Sequence, residues 1–365
     1  MANVSTAFTP DWVSPPGDTI LDLLEERGWN QAEFAIRTGY TTKHISQLIN
    51  GKVALTEDAA LKLERVLGSP ASFWLTREAH YREGLARAEE RISLAAFAGW
   101  LKEIPVRDMI NFGWIRSFAD KGEMVAECLR FFGVASVSAW QNEYGKPVAA
   151  YRSSEKFAKH SGAVSAWLRG GERQSAMIVC EPYNKTHFKE TLLKLRALTT
   201  EPDPEIFIPK LTEVCAAVGV AVVVTPAPKG CPVSGATKWV GQGKALLMLS
   251  LRHKTNDHFW FSFFHEAGHL LLHGKKLLFI DVEGDLGNDD EEQANTFARD
   301  LLIPPPAARM LNTLSANESS IRNFATEHGI APGIVIGRLQ NEKRLPWNSF
   351  LNKSLKVRYV WAHEG

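Results

Sequence analysis

The chain has 365 residues, of which 45% are hydrophobic and 23% are charged, a globular composition long enough for two or three domains. Its 42 Lys and Arg residues against 41 Asp and Glu residues leave a net charge of +1. This balance excludes a strong overall attraction to nucleic acid or to a membrane, so any such binding must come from a local patch.

The compartment is predicted from three features that the sequence lacks. The four cysteines form no CxxC pair, which excludes a disulfide framework and a thiolate zinc site and suits a reducing compartment. The first residues lack the pattern of a signal peptide. The apolar run GVAVVV is too short to span a bilayer. We expect a cytoplasmic protein that does not bind membranes.

The pattern of hydrophobic and polar residues changes several times along the chain, and the predicted fold class is α+β. The predicted segments are a flexible N-terminus at 1–16, an all-α domain at 17–91, a mainly helical middle region at 92–205, a mixed domain at 206–345 and a tail at 346–365.

Two short amphipathic helices are predicted between residues 30 and 50, and Gly39 lies at the break between them. Their patterned positions are Gln31, Phe34, Ala35, Ile45, Leu48 and Ile49. A glycine at such a break permits the sharp turn of a helix-turn-helix. The alternative is a plain helical bundle that makes only dimer contacts.

The second of these helices is predicted to bind DNA, because no acidic residue lies between Thr41 and Leu55. The predicted phosphate and base-edge contacts are Gln31, Thr41, Thr42, Lys43, His44, Ser46, Gln47, Asn50 and Lys52. Residues 16–91 carry 10 Lys and Arg against 12 Asp and Glu, a balance of −2 that argues against strong non-specific binding. We therefore expect a specific operator bound by a homodimer.

Residues 17–80, with LGSPASFWL near their end, resemble the XRE-type helix-turn-helix of HigA-like antitoxins, and PPGDTILDLLEERG matches the usual start of that domain. The resemblance implies binding to double-stranded DNA, transcription regulation and a link to toxin–antitoxin systems.

The middle region carries few chemical signals. Trp100, Trp114, Trp140 and Trp167 are predicted core anchors, and AWLRGGER (166–173) is predicted to be a solvated helix end. A sensing or docking role for this region is a hypothesis.

The mixed domain begins with strand signals. GVAVVVT (219–225) predicts a buried strand, and ATKWV (236–240) with KALLMLS (244–250) predicts a hairpin around GQG. A phosphate loop at GQGK is disfavoured because its spacing is incomplete and no helix follows. Helices are predicted around 255–273 and 291–302, with a strand, LLFIDV, between them.

Two histidines in FSFFHEAGHLLLHG (261–274) suggest a metal site. His265 and His269 stand four residues apart, so a helix places both on one face, where they can hold one ion. In an HExxH helix the glutamate, here Glu266, acts on the bound water. Gly268 leaves room for a close neighbour such as a substrate strand. Three fixed residues arise by chance in roughly a few sequences per hundred, so a buried helix without metal is the alternative.

A catalytic zinc also needs a third protein ligand and an open fourth position. In DDEEQANTFARDLLIP (289–304), Glu291 lies at the edge of the apolar face and can reach a metal held by the preceding helix. Asn295 can hydrogen-bond a ligand and fix its orientation. The alternative reading is that the acids at 289–292 favour the helix dipole.

His273 is a rival third ligand, but its helical angle lags that of His265 by about 80°. This favours a buried position behind the ligands. His253, His258 and His273 are the candidates for stabilising an oxyanion.

WFSFFHEAGHLLLHG followed by EEQANTFARDLLIP resembles the ImmA/IrrE family of zinc metallopeptidases over residues 206–310. The resemblance implies a zincin-like domain with a small sheet and an HExxH active helix, and one Zn²⁺ per chain. It implies that His265, His269 and Glu291 are the ligands and that Glu266 is the catalytic glutamate. Glu292 beside Glu291 leaves the third ligand slightly open.

The sequence thus predicts a DNA-binding transcriptional regulator with a zinc endopeptidase domain. Its expected substrate is a protein, such as a helix-turn-helix repressor or the chain itself. The alternative is a HigA-like antitoxin or repressor whose zinc domain senses or binds a partner, such as a toxin, without proteolysis. Glu266 favours the peptidase, because a purely structural metal site does not need it.

Overall fold

The structure is a computed structural model that describes residues 13–145, 160–250, 254–274, 278–282 and 289–359. It separates into two compact units. One unit is Met1–Phe97 with Asp120–Ala126, and the other is Ala98–Ala119 with Glu127–Gly365. Residues 1–12 of the predicted flexible N-terminus lie outside the described residues, as does His253.

The described part of residues 1–97 is helical. Its helices are α1 (Pro16–Glu26), α2 (Gln31–Thr38), α3 (Thr42–Ile49), α4 (Glu57–Leu67) and α5 (Ala71–Ala95). Asn30, Thr41 and Thr56 cap α2, α3 and α4, because each side-chain oxygen accepts a backbone N–H of the first turn. Gly39 ends α2 at φ +71°, a left-handed conformation that suits glycine. The predicted break between two short helices is confirmed.

The helices of the remaining chain are α6 (Val106–Asn111), α7 (Lys121–Phe132), α8 (Val137–Trp140), α9 (Ser161–Ala176), α10 (Lys185–Leu195), α11 (Pro204–Ala216), α12 (Asn256–Leu272), α13 (Asp289–Leu302), α14 (Pro305–Leu311), α15 (Glu318–Glu327), α16 (Pro332–Asn341) and α17 (Asn352–Leu355). The strands are β1 (Val220–Val224), β2 (Val233–Trp239), β3 (Ala245–Leu249) and β4 (Leu278–Val282). Short 3₁₀ helices at Ala98–Lys102 and Arg196–Thr200 and a π turn at Gln141–Gly145 complete the described elements.

The four strands form one mixed sheet in the order β1-β3-β2-β4. β1 runs parallel to β3 with Val220 opposite Ala245, and β2 pairs antiparallel with both β3 and β4. Trp239 lies opposite Ala245, so β2 and β3 make the hairpin expected around GQG. The strands and the α+β class predicted from the sequence are confirmed.

The sheet is covered on both faces, which explains why β3 is apolar at every position. Leu247 and Leu249 belong to the main core with α12. Leu246 and Met248, on the opposite face, pack with α9. The sheet therefore separates the HExxH helix from a helix of the middle region.

The expectation of a solvated helix end at 166–173 is wrong for most of the segment, because residues 166–168 and 170–171 are buried within α9 and only Arg173 is exposed. A Cβ atom on Gly170 would lie 2.9 Å from Cη2 of Trp114, and one on Gly171 would overlap the side chain of Met248. Gly171 thus lets α9 pack directly on β3 and Gly170 lets it approach Trp114, whereas the charged residues beside them suggested exposure.

The tryptophans of the middle region follow the prediction closely. Trp100, Trp140 and Trp167 are buried core residues. Trp114 is half-buried and stacks on Phe131 with ring centroids 5.8 Å apart.

The C-terminal segment returns to the start of α12. Arg358 forms a β-bridge with Thr255, and Lys356 Nζ donates to Asp257 Oδ2 at 2.5 Å. Tyr359 is buried in the main core. These contacts fix the N-terminal turn of α12. None of the helices in the described ranges is long and apolar enough to cross a lipid bilayer.

Candidate functional site

The HExxH segment lies in the middle of α12, a helix rich in aromatic residues and buried around most of its circumference. His265, Glu266 and His269 are 3%, 0% and 1% exposed. Burial of three polar side chains is costly unless each has a partner. The partners of these three side chains therefore indicate which chemistry the segment can support.

The second helix of the site, α13, packs closely against α12 at Gly268. A Cβ atom at this position would lie 3.1 Å from Cδ1 of Phe297 and 3.3 Å from Cα of Ala294. Gly268 was expected to face a substrate strand, but its close neighbour is α13. Because Gly268 has no side chain, the backbone of α13 comes near enough for Glu291 to reach the histidines.

Three acceptor atoms converge between the two helices. His265 Nε2 lies 3.0 Å from His269 Nε2 and 3.1 Å from Glu291 Oε2. His269 Nε2 lies 3.4 Å from Glu291 Oε1. A tetrahedral zinc ion with ligands at 2.0–2.1 Å separates them by about 3.3–3.4 Å, so the observed spacing and donor set fit such an ion. Among the described residues, His265, His269 and Glu291 are the group whose side chains could hold a metal ion.

The far sides of both imidazole rings are held by hydrogen bonds. His265 Nδ1 donates to Asn295 Oδ1 at 3.0 Å, which leaves its Nε2 as the acceptor. His269 Nδ1 lies 3.0 Å from His273 Nδ1, and His273 Nε2 lies 3.7 Å from Asp290 Oδ1. Donation from His269 Nδ1 to His273 Nδ1, with His273 Nε2 turned towards Asp290, gives His269 the same tautomer as His265, with its Nε2 as the acceptor. His273 thus lies behind His269.

The two adjacent glutamates of α13 have different partners. Burial raises the pKa of Glu291, but the neighbouring imidazoles of His265 and His269 outweigh burial and bring the pKa to about 2. Glu291 is therefore a carboxylate at neutral pH. Glu292 is exposed and accepts from Arg299 at 3.1 Å.

Glu266 points from α12 towards β2. A Cβ atom on Gly235 would lie 2.5 Å from Glu266 Oε1 and 2.7 Å from its Cγ. The carboxylate therefore occupies the space that a side chain of β2 would need. The sequence analysis did not predict the contact between Gly235 and Glu266 or the one between Asp290 and His273. A glycine in a predicted strand was the only available signal for the first of these contacts.

The structure does not bring His258 or His273, the two oxyanion candidates within the described residues, to the three acceptor groups. His258 precedes His265 by seven residues, which is about 10 Å along the helix. His273 is turned towards Asp290. His253 lies outside the described residues.

The α2–α3 pair presents the predicted DNA contacts on its surface. Gln31, Thr41, Thr42, Lys43, Asn50 and Lys52 are exposed, and His44, Ser46 and Gln47 are half-buried. Phe34, Ala35, Ile45, Leu48 and Ile49 are buried beneath them. Two of the exposed side chains also have local partners. Thr41 Oγ1 accepts from His44 N at 3.1 Å, and Asn50 Nδ2 donates to Ser46 O at 2.7 Å.

Comparison with known proteins agrees with both halves of this description. Residues 20–74 match the family model described as Helix-turn-helix, and residues 219–340 match the one described as IrrE N-terminal-like domain. The uncharacterized HTH-type transcriptional regulator YddM of Escherichia coli (strain K12) is 35% identical over 80 residues, which are 22% of this chain and 83% of that protein. The chain belongs to the helix-turn-helix regulators and carries an ImmA/IrrE-type domain.

The resemblances to a helix-turn-helix regulator and to the ImmA/IrrE family are thereby confirmed. This regulator also aligns with a solved addiction module antidote protein of a HigA family from Coxiella burnetii. That alignment has 22% identity and a TM-score of 0.21, and it covers 22% of this chain and 90% of the other. The ImmA/IrrE-type domain contains α12, α13 and the whole sheet.

Proposed function

We propose that this regulator binds an operator as a homodimer and cleaves a polypeptide with its ImmA/IrrE-type domain, using one zinc ion per chain. The observation that carries the proposal is that His265 Nε2 and His269 Nε2 lie 3.0 Å apart and that each lies 3.1–3.4 Å from one of the two Glu291 carboxylate oxygens. Three acceptors at such distances repel one another unless a cation lies between them.

Zinc bound there supplies Lewis acidity towards a water molecule and the scissile carbonyl. The rest of the chemistry belongs to the side chains of the chain itself. Glu266 takes the proton of the attacking water at its carboxylate and returns it to the leaving amine. Asn295 and His273 hold the two imidazole rings with Nε2 facing the Glu291 carboxylate, where these three residues would hold the ion. Glu291 adds a negative charge to the cluster.

The DNA half of the proposal rests on the exposed edge of α2 and α3. We assign phosphate and base contacts to Gln31, Thr41, Thr42, Lys43, His44, Ser46, Gln47, Asn50 and Lys52. Lys43 and Lys52 supply charge, and the amides and hydroxyls read base edges. The net charge of +1 keeps general attraction to DNA weak, so affinity depends on this surface.

A metal analysis and a cleavage assay test the peptidase half together. Purified wild-type protein is expected to contain about one zinc per chain, and His265→Ala is expected to lose most of it. Glu266→Gln should retain the zinc and lose cleavage of a peptide mixture prepared from a bacterial proteome. Glu292→Gln, which changes the neighbouring exposed acid, is the control and should retain both.

The non-proteolytic alternative makes a different prediction for the same proteins. If the zinc domain only senses or binds a partner, wild type and Glu266→Gln will hold zinc, leave the peptides intact and repress the operator equally well. The peptidase proposal requires a difference between these two proteins in cleavage, and in the release of the operator in cells.

A further inference from the structure

Residues 343–359, near the C-terminal end of the chain, carry a local excess of positive charge. We call them the aromatic–basic segment. They contain five Lys and Arg residues and no Asp or Glu, whereas the whole chain has a net charge of +1. Because the overall charge is so small, any attraction of this protein to a polyanion must come from a local patch of this kind.

Most of this positive charge is not balanced by neighbouring acids. Lys356 is the exception, because its Nζ pairs with Asp257 Oδ2 in a buried ion pair. The other four cations are exposed: Lys343, Arg344, Lys353 and Arg358. Within the part of the chain that the structure describes, none of these four has a carboxylate oxygen within 4.0 Å of its charged group. They are therefore available to an anionic partner.

Two large aromatic side chains of the same segment are held in solvent. Trp347 is 59% exposed and Phe350 is 81% exposed. By contrast, Leu351, Leu355 and Tyr359 are only 2%, 4% and 1% exposed. The segment thus packs on the core through one set of side chains, and it leaves two aromatic rings and four cations at the surface.

The backbone that carries the two exposed rings is fixed by hydrogen bonds. Gln340 is 1% exposed, and its Nε2 donates to Pro346 O at 3.1 Å and to Asn352 Oδ1 at 3.0 Å. Asn352 Nδ2 in turn donates to Trp347 O at 2.7 Å. A buried amide of α16 therefore holds both ends of the turn from which the rings extend, so a partner need not order this turn when it binds.

The rings and the charges lie close together. Lys353 N donates to Phe350 O at 3.1 Å, which closes a turn and keeps the two Cα atoms within about 7 Å of each other. Trp347 precedes Phe350 by three residues, so their Cα atoms are at most about 10 Å apart. One ligand can therefore contact both rings and at least one free cation.

A single nucleic-acid strand offers both of the groups that such a patch binds. Each nucleotide carries a phosphate charge, and each unpaired base presents a flat face that stacks on an aromatic ring. A duplex offers the phosphates but keeps its bases stacked inside, and an acidic polypeptide offers charge without bases. A membrane surface requires a long amphipathic helix, whereas the helix of this segment, Asn352–Leu355, has 4 residues.

We propose that the aromatic–basic segment binds single-stranded nucleic acid. Trp347 and Phe350 stack on unpaired bases, and the four exposed cations contact phosphates. This site uses none of the residues assigned to the operator, and it depends neither on the zinc ion nor on cleavage.

The first test separates base stacking from charge. A fluorescent oligothymidylate of about 20 nucleotides, which is long enough to cover one site, is titrated with the full-length protein and followed by fluorescence anisotropy. The oligothymidylate should bind at least about tenfold tighter than an abasic strand of the same length, because two bases stack. An oligouridylate of the same length shows whether RNA is bound as well as DNA. Equal binding of the abasic strand and both base-containing strands would overturn the proposal.

The second test removes one ring. Phe350→Ala should weaken binding of the oligothymidylate at least about fivefold and leave binding of an unrelated duplex unchanged, because a duplex has no free base to stack. Phe97→Ala is the matched control, since Phe97 is a 49% exposed aromatic residue outside the segment, and it should change neither affinity. An unchanged affinity of Phe350→Ala for the single strand, or an equal loss for strand and duplex, would remove the ring from the site.

The third test concerns the charges and the rival partners. Lys353→Ala should reduce the slope of log K against log salt for the single strand by about 0.7 in magnitude, whereas Lys189→Ala, an exposed lysine of α10, should leave it unchanged. Polyglutamate and vesicles of phosphatidylglycerol should not displace the oligothymidylate at the same concentration of negative charge. Displacement by polyglutamate would assign the segment to an acidic polypeptide, and displacement by the vesicles would assign it to a lipid surface; either result contradicts the proposal.

Discussion

Replacing Gly235 by alanine gives a sharp test of how Glu266 is positioned. The added Cβ would lie 2.5 Å from Glu266 Oε1, 2.7 Å from its Cγ and 2.9 Å from its Cδ. An ordinary carbon contact needs about 3.5 Å, so the carboxylate must move by about 1 Å. Glu266 is fully buried, which restricts the directions in which it can move.

The expected effect is confined to the chemical step. A displacement of about 1 Å in a catalytic group lowers the rate by about 100-fold, or about 2.7 kcal/mol in the activation free energy. The zinc content should stay near one per chain, because His265 and His269 face α13 and do not face β2. The kinetic assay follows initial cleavage rates of one peptide selected from the proteome mixture, with kcat and KM determined separately.

Gly243→Ala is the matched control. Gly243 lies in the same hairpin, and a Cβ atom there would meet nothing within 4 Å. We expect Gly243→Ala to keep the wild-type kcat. A wild-type kcat in Gly235→Ala, or a loss of zinc equal to the loss of rate, would refute the reasoning about Glu266.

Three further predictions follow from individual contacts. Asn295→Ala removes the acceptor that holds His265 Nδ1, so the affinity for zinc should fall about 10–100-fold in a competition titration with a chelator. Gln293→Ala, on the exposed side of α13, is the control and should leave the zinc affinity unchanged. Gly39→Ala forces a residue with a side chain into a left-handed backbone conformation. The free energy of unfolding of the helix-turn-helix, measured by urea denaturation, should therefore drop by roughly 1–2 kcal/mol. An unchanged denaturation midpoint would contradict the φ of +71°. Lys43→Ala removes one phosphate contact, so the slope of log K against log salt for a selected operator duplex should decrease in magnitude by about 1, and an identical slope would remove Lys43 from the interface.

The short-range features of the site could be predicted from the sequence because helical spacing fixes them. His265 and His269 lie on one face of α12 for this reason, and Glu291 and Asn295 lie on one face of α13. The strands of the hairpin were predictable in the same way, from apolar runs bounded by glycine. Each of these inferences needs only the local period of a helix or strand.

The remaining features depend on contacts between segments far apart in the chain. The approach of Gly235 to Glu266 joins residues 31 positions apart, and the C-terminal segment places Lys356 against Asp257, which lies 99 positions earlier at the start of α12. The buried α9 was misread because its two glycines have a meaning only beside Trp114 and Met248. The spacing of residues along a single helix or strand carries no information about neighbours that come from distant segments of the chain.

The central claim, a zinc ion held by two imidazoles and one carboxylate, is tested most directly by zinc K-edge X-ray absorption on the purified full-length protein. We expect about one zinc per chain, with nitrogen and oxygen neighbours at about 2.0–2.1 Å and the outer-shell scattering of two imidazole rings. In Glu291→Gln, the bound zinc should decrease sharply. A sulfur neighbour at about 2.3 Å, or a protein that retains no zinc when purified without chelators, would contradict the account.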